Sequence, residues 1–167
     1  MVAVQHRRGI GRAWGEVKLR ERTEIARLPA DVWPFIVTAE LFRQWNEKIV
    51  DIEATGQFRQ GQSFITRYRM SGREMQCLSK VIALEPGLLL ELRHGNCSGK
   101  GMRRELDVVE RITLSEKRGR TIVKKEVDLR NSGLPWFMIP VLWFINRFGK
   151  PVGRNKLKDL CEGRIEK

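Results

Sequence analysis

Residues 29–46, Pro29-Ala30-Asp31-Val32-Trp33-Pro34-Phe35-Ile36-Val37-Thr38-Ala39-Glu40-Leu41-Phe42-Arg43-Gln44-Trp45-Asn46, decide the fold. Pro29 and Asp31 suit a helix start, and Val32, Trp33, Phe35 and Ile36 recur at helical spacing. Pro34 keeps this helix short, because proline is tolerated only in a first turn. A second short helix runs through Leu41 and Phe42 to Trp45. Two short helices in tandem therefore interrupt whatever lies on either side.

What lies on either side is extended chain. Upstream, residues 14–25 read as a strand, with Val17, Leu19, Glu21, Thr23 and Ile25 on one face. Downstream, residues 48–130 change to period two. Strands are predicted over 49–53, 63–70, 74–84, 88–94, 104–115 and 120–130. Gly56 and Gly61, Ser71-Gly72, Glu85-Pro86-Gly87, the loop Gly95–Gly101 and Lys117-Arg118-Gly119 punctuate them. One strand precedes the helices and about six follow, at spacings that fit an antiparallel meander. After Asn131-Ser132-Gly133 the period returns to 3.6. Trp136, Ile139, Trp143, Leu157, Leu160 and Cys161 share one face of a long C-terminal helix, open to a break near Gly149-Lys150-Pro151.

The chain has 167 residues, which suits one domain: a basic arm over 1–13 and a single domain over 14–167. The net charge is +12, and residues 1–22 and 147–167 each hold +4 of it. Such a field favours anionic partners. The positive ends lack the interleaved aromatics of a nucleic-acid reading surface, so nucleic acid is not an expected partner. Cys77, Cys97 and Cys161 are an odd number with no CxxC, and His6 lies far from His94. This spacing argues against both a metal site and a disulfide framework, and it fits a reducing, cytoplasmic setting. No apolar stretch near the N-terminus reads as a signal-peptide core. The longest apolar run, Leu134–Ile145, is interrupted by Pro135 and Pro140. As a helix it would span about 18 Å, against about 30 Å for a bilayer core.

With these residues in place, the chain resembles the START-like (SRPBCC) superfamily, in its polyketide cyclase/dehydrase-like and lipid-transport branch. The matching residues are Pro29-Ala30-Asp31-Val32-Trp33, Leu41, Trp45-Asn46, Gly61, Phe64, Met70, Gly72-Arg73, Glu85-Pro86 before the Leu88–Leu92 strand, and Leu157–Leu160. The resemblance covers about residues 16–163. It implies an α+β helix-grip fold: a seven-stranded curved antiparallel sheet wrapped around the long C-terminal helix, with a cavity between them. The implied ligand-binding residues are Trp33, Phe64, Tyr68, Met70, Leu90, Leu92, His94, Val108, Ile112, Trp136, Phe137, Trp143 and Phe144. Aromatic walls with a few polar groups suit a small-molecule pocket.

The sequence carries no glycine-rich phosphate loop, no GxSxG and no HExxH, and no cofactor is expected. His94 is the one candidate for acid–base work near neutrality within the domain. Tyr68 can orient a ligand hydroxyl or carbonyl. Glu110 alternates with apolar residues, where burial would raise its pKa; a rim position beside an arginine explains it equally well. Arg73 follows a turn, where it could meet a ligand carboxylate. The expected function is binding of a small hydrophobic ligand, a lipid, polyketide or other aromatic metabolite, as a carrier or binding module. The alternatives are a polyketide cyclase/dehydrase-like enzyme and a membrane-surface protein docking weakly on anionic lipid through 134–145 and the basic C-terminal stretch. Monomer and homodimer both remain open.

Overall fold

The first strand, β1 (Lys18–Ile25), pairs not with the next strand in the chain but with the last, β7 (Arg120–Asn131): Lys18 lies opposite Asp128 and Ile25 opposite Thr121. This is seen in a computed structural model that describes residues 18–70, 72–99, 107–131 and 155–163. Between these two strands run α1 (Pro29–Val37), α2 (Ala39–Trp45), β2 (Ile49–Ile52), β3 (Ser63–Met70), β4 (Arg73–Glu85), β5 (Leu89–Gly99) and β6 (Asp107–Lys117). The sheet order is β1-β7-β6-β5-β4-β3-β2, antiparallel throughout. The sheet curls, and α1 lies against β6 and β7. The expected α+β architecture, with two helices and then six strands, is therefore present. The long C-terminal helix is described only as α3 (Lys156–Glu162). The arm over 1–13, Trp136, Phe137, Trp143, Phe144 and the run 134–145 lie outside the described residues.

The helical pair forms as its spacing predicts, with one difference. Pro29 stands at the first helical position, so Pro34 falls in the second turn, and the helix continues for only three residues beyond it. Thr38 is extended and separates the two helices. The loop after β2 clamps this junction: Ala39 N donates to Gly56 O (2.9 Å) and Phe58 N to Val37 O (2.8 Å). Phe58 then stacks on Phe64 at 5.0 Å, and Phe42 meets the edges of both Phe58 and Trp45. Around this aromatic chain pack Ile25, Val32, Ile36, Val81, Leu90, Leu92, Ile112 and Leu114, all 1% exposed or less. Helix α3 completes the wall with buried Leu157 and Cys161. Asn155 caps it by accepting from Lys158 N (3.0 Å), and its amide donates to Thr23 Oγ1 (2.6 Å), tying the helix to β1.

Two corrections concern β4 and β5. The loop expected over 95–101 is strand as far as Gly99, because Gly99 lies against Met75 and Ser98 against Gln76. The cysteine spacing also misled. Cys77 and Cys97 form a disulfide, because the hairpin brings β5 back along β4. The register slips between Gln76 and Leu78, so Asn96 and Cys97 together oppose Cys77. Asn96 takes a left-handed φ of 47° at this bulge. The reducing setting inferred from unpaired cysteines loses that ground.

Candidate functional site

Side chains alternate across each strand, and the register decides which of them meet on the concave face. Tyr68 lies opposite Met75, Ser79 opposite His94, His94 opposite Val108, Leu92 opposite Glu110, and Ile112 opposite Lys125. A polar row thus crosses five strands: Thr66 and Tyr68 on β3, Ser79 on β4, His94 on β5, Glu110 on β6 and Lys125 on β7. On one side of it is the packed apolar core. On the other side the concave face carries Met75, Val108, Val127 and Leu129, all only half-buried.

The row is one hydrogen-bonded network. Thr66 Oγ1 and Ser79 Oγ are 2.7 Å apart, and Ser79 Oγ is 2.8 Å from His94 Nδ1. The Tyr68 hydroxyl is 3.2 Å from Nδ1 and 3.4 Å from Nε2 of the same ring. On the far side, His94 Nε2 lies 3.4 Å from Glu110 Oε2, and Lys125 Nζ lies 2.8 Å from Glu110 Oε1. The lysine contact is an ion pair at an angle unfavourable for a hydrogen bond, which leaves Oε1 without a hydrogen-bond donor. Lys125 Nζ also stands 5.2 Å from the centre of the Trp45 ring, a cation–π distance. The Trp45 indole is fixed in turn by donating to Phe35 O (2.8 Å).

Glu110 was expected to have a raised pKa if buried. It is 6% exposed, yet its pKa is lowered to about 2. Burial opposes the charge, but Lys125 and His94 outweigh it. Its partner is a lysine, not the arginine weighed for a rim position. An ionised carboxylate only accepts hydrogen bonds. In the neutral ring, Nε2–H therefore faces Glu110 and Nδ1 accepts from Ser79. Burial, and then the charge of Glu110, push the Tyr68 phenol well above its ordinary value. It stays a donor, and the one lone pair on Nδ1 already has Ser79.

The structure brings Tyr68, His94 and Glu110 together. It places Phe64, Leu90, Leu92 and Ile112 in the packed core and Trp33 half-buried against that core. Val108 borders the row on its half-buried side. Of Met70 only the backbone is described, and Arg73 is exposed at the start of β4. Thr66, Ser79, Lys125 and Trp45 were not identified as site residues from sequence. The parity of Val123-Lys124-Lys125-Glu126-Val127 could have flagged Lys125, which shares a face with the two valines. Two surface depressions lie elsewhere. One, of about 450 Å³, includes Leu78, Lys80, Arg93 and Asp107; the other, of about 420 Å³, includes Glu40, Arg43 and Ile52. Neither contains an expected ligand-binding residue. Among the described residues no cluster of His, Cys, Asp and Glu could hold a metal, and no helix is long and apolar enough to cross a membrane.

No protein-family model matches the sequence, and no curated protein matches it. Solved structures do. A START superfamily protein from Mycobacterium smegmatis superposes with a TM-score of 0.64 at 13% identity, covering 90% of this chain and 100% of that one. Ara h 8.0201 gives 0.55 at 18%, covering 88% and 95%. DynU16, from the dynemicin biosynthetic locus, gives 0.55 at 18%, covering 89% of this chain and 48% of its own, so the chain spans about half of that protein. At these identities the likeness is one of fold. The chain has the START-like fold that its sequence resembles.

Proposed function

We propose that the protein binds a small hydrophobic ligand on the concave face of the sheet, as a carrier or binding module, with a ligand oxygen against Tyr68. The observation that carries this reading is the polar row, set between a packed core and a half-buried apolar surface. Val108, Val127 and Leu129 supply apolar contact, and Tyr68 supplies a donor whose acceptor on His94 is already shared. A pocket that is mostly apolar with a few convergent polar groups is what such ligands need. The expected lining from 132–154, Trp136, Phe137, Trp143 and Phe144, belongs to the same proposal, as does Met70. Solvent extraction of purified protein followed by mass spectrometry should yield a co-purifying lipid or aromatic compound. An empty extract, together with no thermal shift from a panel of hydrophobic ligands, would count against binding.

A second reading has its own observation: an acid, a histidine and a phenol converge within 3.2–3.4 Å. In a cyclase/dehydrase-like reaction Tyr68 would hold negative charge developing on a ligand carbonyl oxygen. His94 would take up a proton, and Glu110 would stabilise the imidazolium. The likeness to DynU16 supports looking among biosynthetic intermediates. In this reading His94→Asn abolishes turnover while ligand binding survives; unchanged turnover would reject it. We keep the cytoplasm as the proposed compartment. Weak anionic-membrane association stays tied to the 134–145 segment, and flotation with anionic against neutral vesicles tests it.

A further inference from the structure

The disulfide lies on the same concave face as the polar row. Cys77, Ser79 and Val81 alternate inward along β4, and all three are buried. Cys77 stands opposite Thr66 on β3, the residue that bonds Ser79. On β5, only Gly95 and Asn96 separate Cys97 from His94. The cross-link therefore ties the two strands one inward position away from the Ser79–His94 contact, at the bulge where Asn96 is left-handed. Gly99 approaches β4 closely just beyond: a Cβ there would meet Glu74 O at 2.9 Å. Past His94 the strand is thus held to β4 by its ladder and by the cysteine pair.

We propose that Cys77 and Cys97 form a reversible thiol–disulfide site, and that its redox state sets the geometry of the Ser79–His94–Tyr68 contacts. Cys77 is 2% exposed, whereas Cys97 is half-buried. An external thiolate, such as that of glutathione, reaches the Cys97 sulfur first. It forms a mixed disulfide there and displaces the Cys77 sulfur. A second external thiolate then takes the first as its disulfide partner and releases Cys97. Two cysteine thiols and one oxidised reductant result, and the two protons come from the two reductant thiols. Without the cross-link, the two-for-one bulge opposite Cys77 can relax, and His94 shifts against Ser79. Exchange chemistry at these two sulfurs requires no particular ligand, so the proposal goes beyond the binding reading and does not rest on it.

The test uses the full chain equilibrated across a series of oxidised-to-reduced glutathione ratios. Free thiols are trapped by acid and counted by maleimide mass labelling after denaturation. The His94 and Tyr68 ring resonances are recorded in parallel. The expected result is a change from one labelled thiol per chain, that of Cys161, to three, with the ring resonances moving at the same midpoint. Three thiols at every ratio would overturn the proposal, as would a two-thiol transition that leaves both rings unmoved. The Cys77→Ser/Cys97→Ser protein should lose all redox dependence of the ring signals. Persistent dependence would transfer the effect to Cys161 and also overturn it. No ligand enters these readouts, so failure here is distinct from failure of the binding proposal.

Discussion

Glu110 keeps its charge inside the sheet because two basic side chains face it, and this makes it a titratable contributor to stability. Its folded pKa of about 2 lies below the 4.5 of an unperturbed carboxyl. Its contribution is therefore full above pH 4.5 and is lost as pH falls toward 2, on the order of 3 kcal/mol in all. Acid titration of stability should show this loss, and Glu110→Gln should flatten it. At neutral pH the same substitution leaves Lys125 beside a neutral amide. It should lower urea stability by about 3 kcal/mol, the usual cost of removing one partner of a buried pair. Tyr68 is the only tyrosine in the chain, so its phenol can be followed alone by ultraviolet absorbance. Its midpoint should lie well above 10, and Glu110→Gln should bring it down, because the Glu110 charge opposes ionisation. His94, Tyr68 and Glu110 were legible in the sequence because each alternates with apolar neighbours. Lys125 was not, since a strand lysine ordinarily faces solvent; its parity with Val123 and Val127 was the one sequence signal, and the register against Ile112 and the Trp45 ring give it its inward place. The sign of the Glu110 shift depended on the Lys125 contact together with the one from His94.

Among the elements, the tandem helices and the meander follow directly from the 29–46 stretch and the period-two pattern after it. The strand ends were harder to read. Gly95-Asn96-Cys97-Ser98-Gly99 has the composition of a loop but pairs with β4, because Gly99 tolerates a backbone approach that any side chain would obstruct. Gly99→Ala should therefore cost about 1–3 kcal/mol, the usual range for overpacking. Urea denaturation measures this; a loss below about 0.5 kcal/mol would mean the strand yields there. The cysteine pairing was illegible for the same reason. It depends on a one-residue slip in register that no spacing rule contains. Phe42 anchors α2 between Trp45 and Phe58 at 1% exposure. Phe42→Ala should cost about 3–5 kcal/mol and loosen the Trp45 platform beside Lys125.

For the whole molecule, the START-like architecture sets a polar row between a packed apolar core and a half-buried apolar surface on one concave face. The basic charge points to no partner within the described residues. Many of its outer-face arginines are matched across strands, as in Arg93 with Asp107, Arg111 with Glu91 and Arg67 with Glu53. What defines the molecule is the border between core and half-buried surface, with Tyr68 standing on it. The most direct measurement is the ring resonance of Tyr68 in isotope-labelled protein as a panel of fatty acids and aliphatic and polycyclic aromatic ketones is added. A bound ligand oxygen should move that resonance saturably, and Tyr68→Phe should weaken binding of the same compound about 5–10-fold, as expected for one lost hydrogen bond. Binding that leaves the Tyr68 resonance in place, or a panel in which nothing binds, would contradict a ligand site on this face.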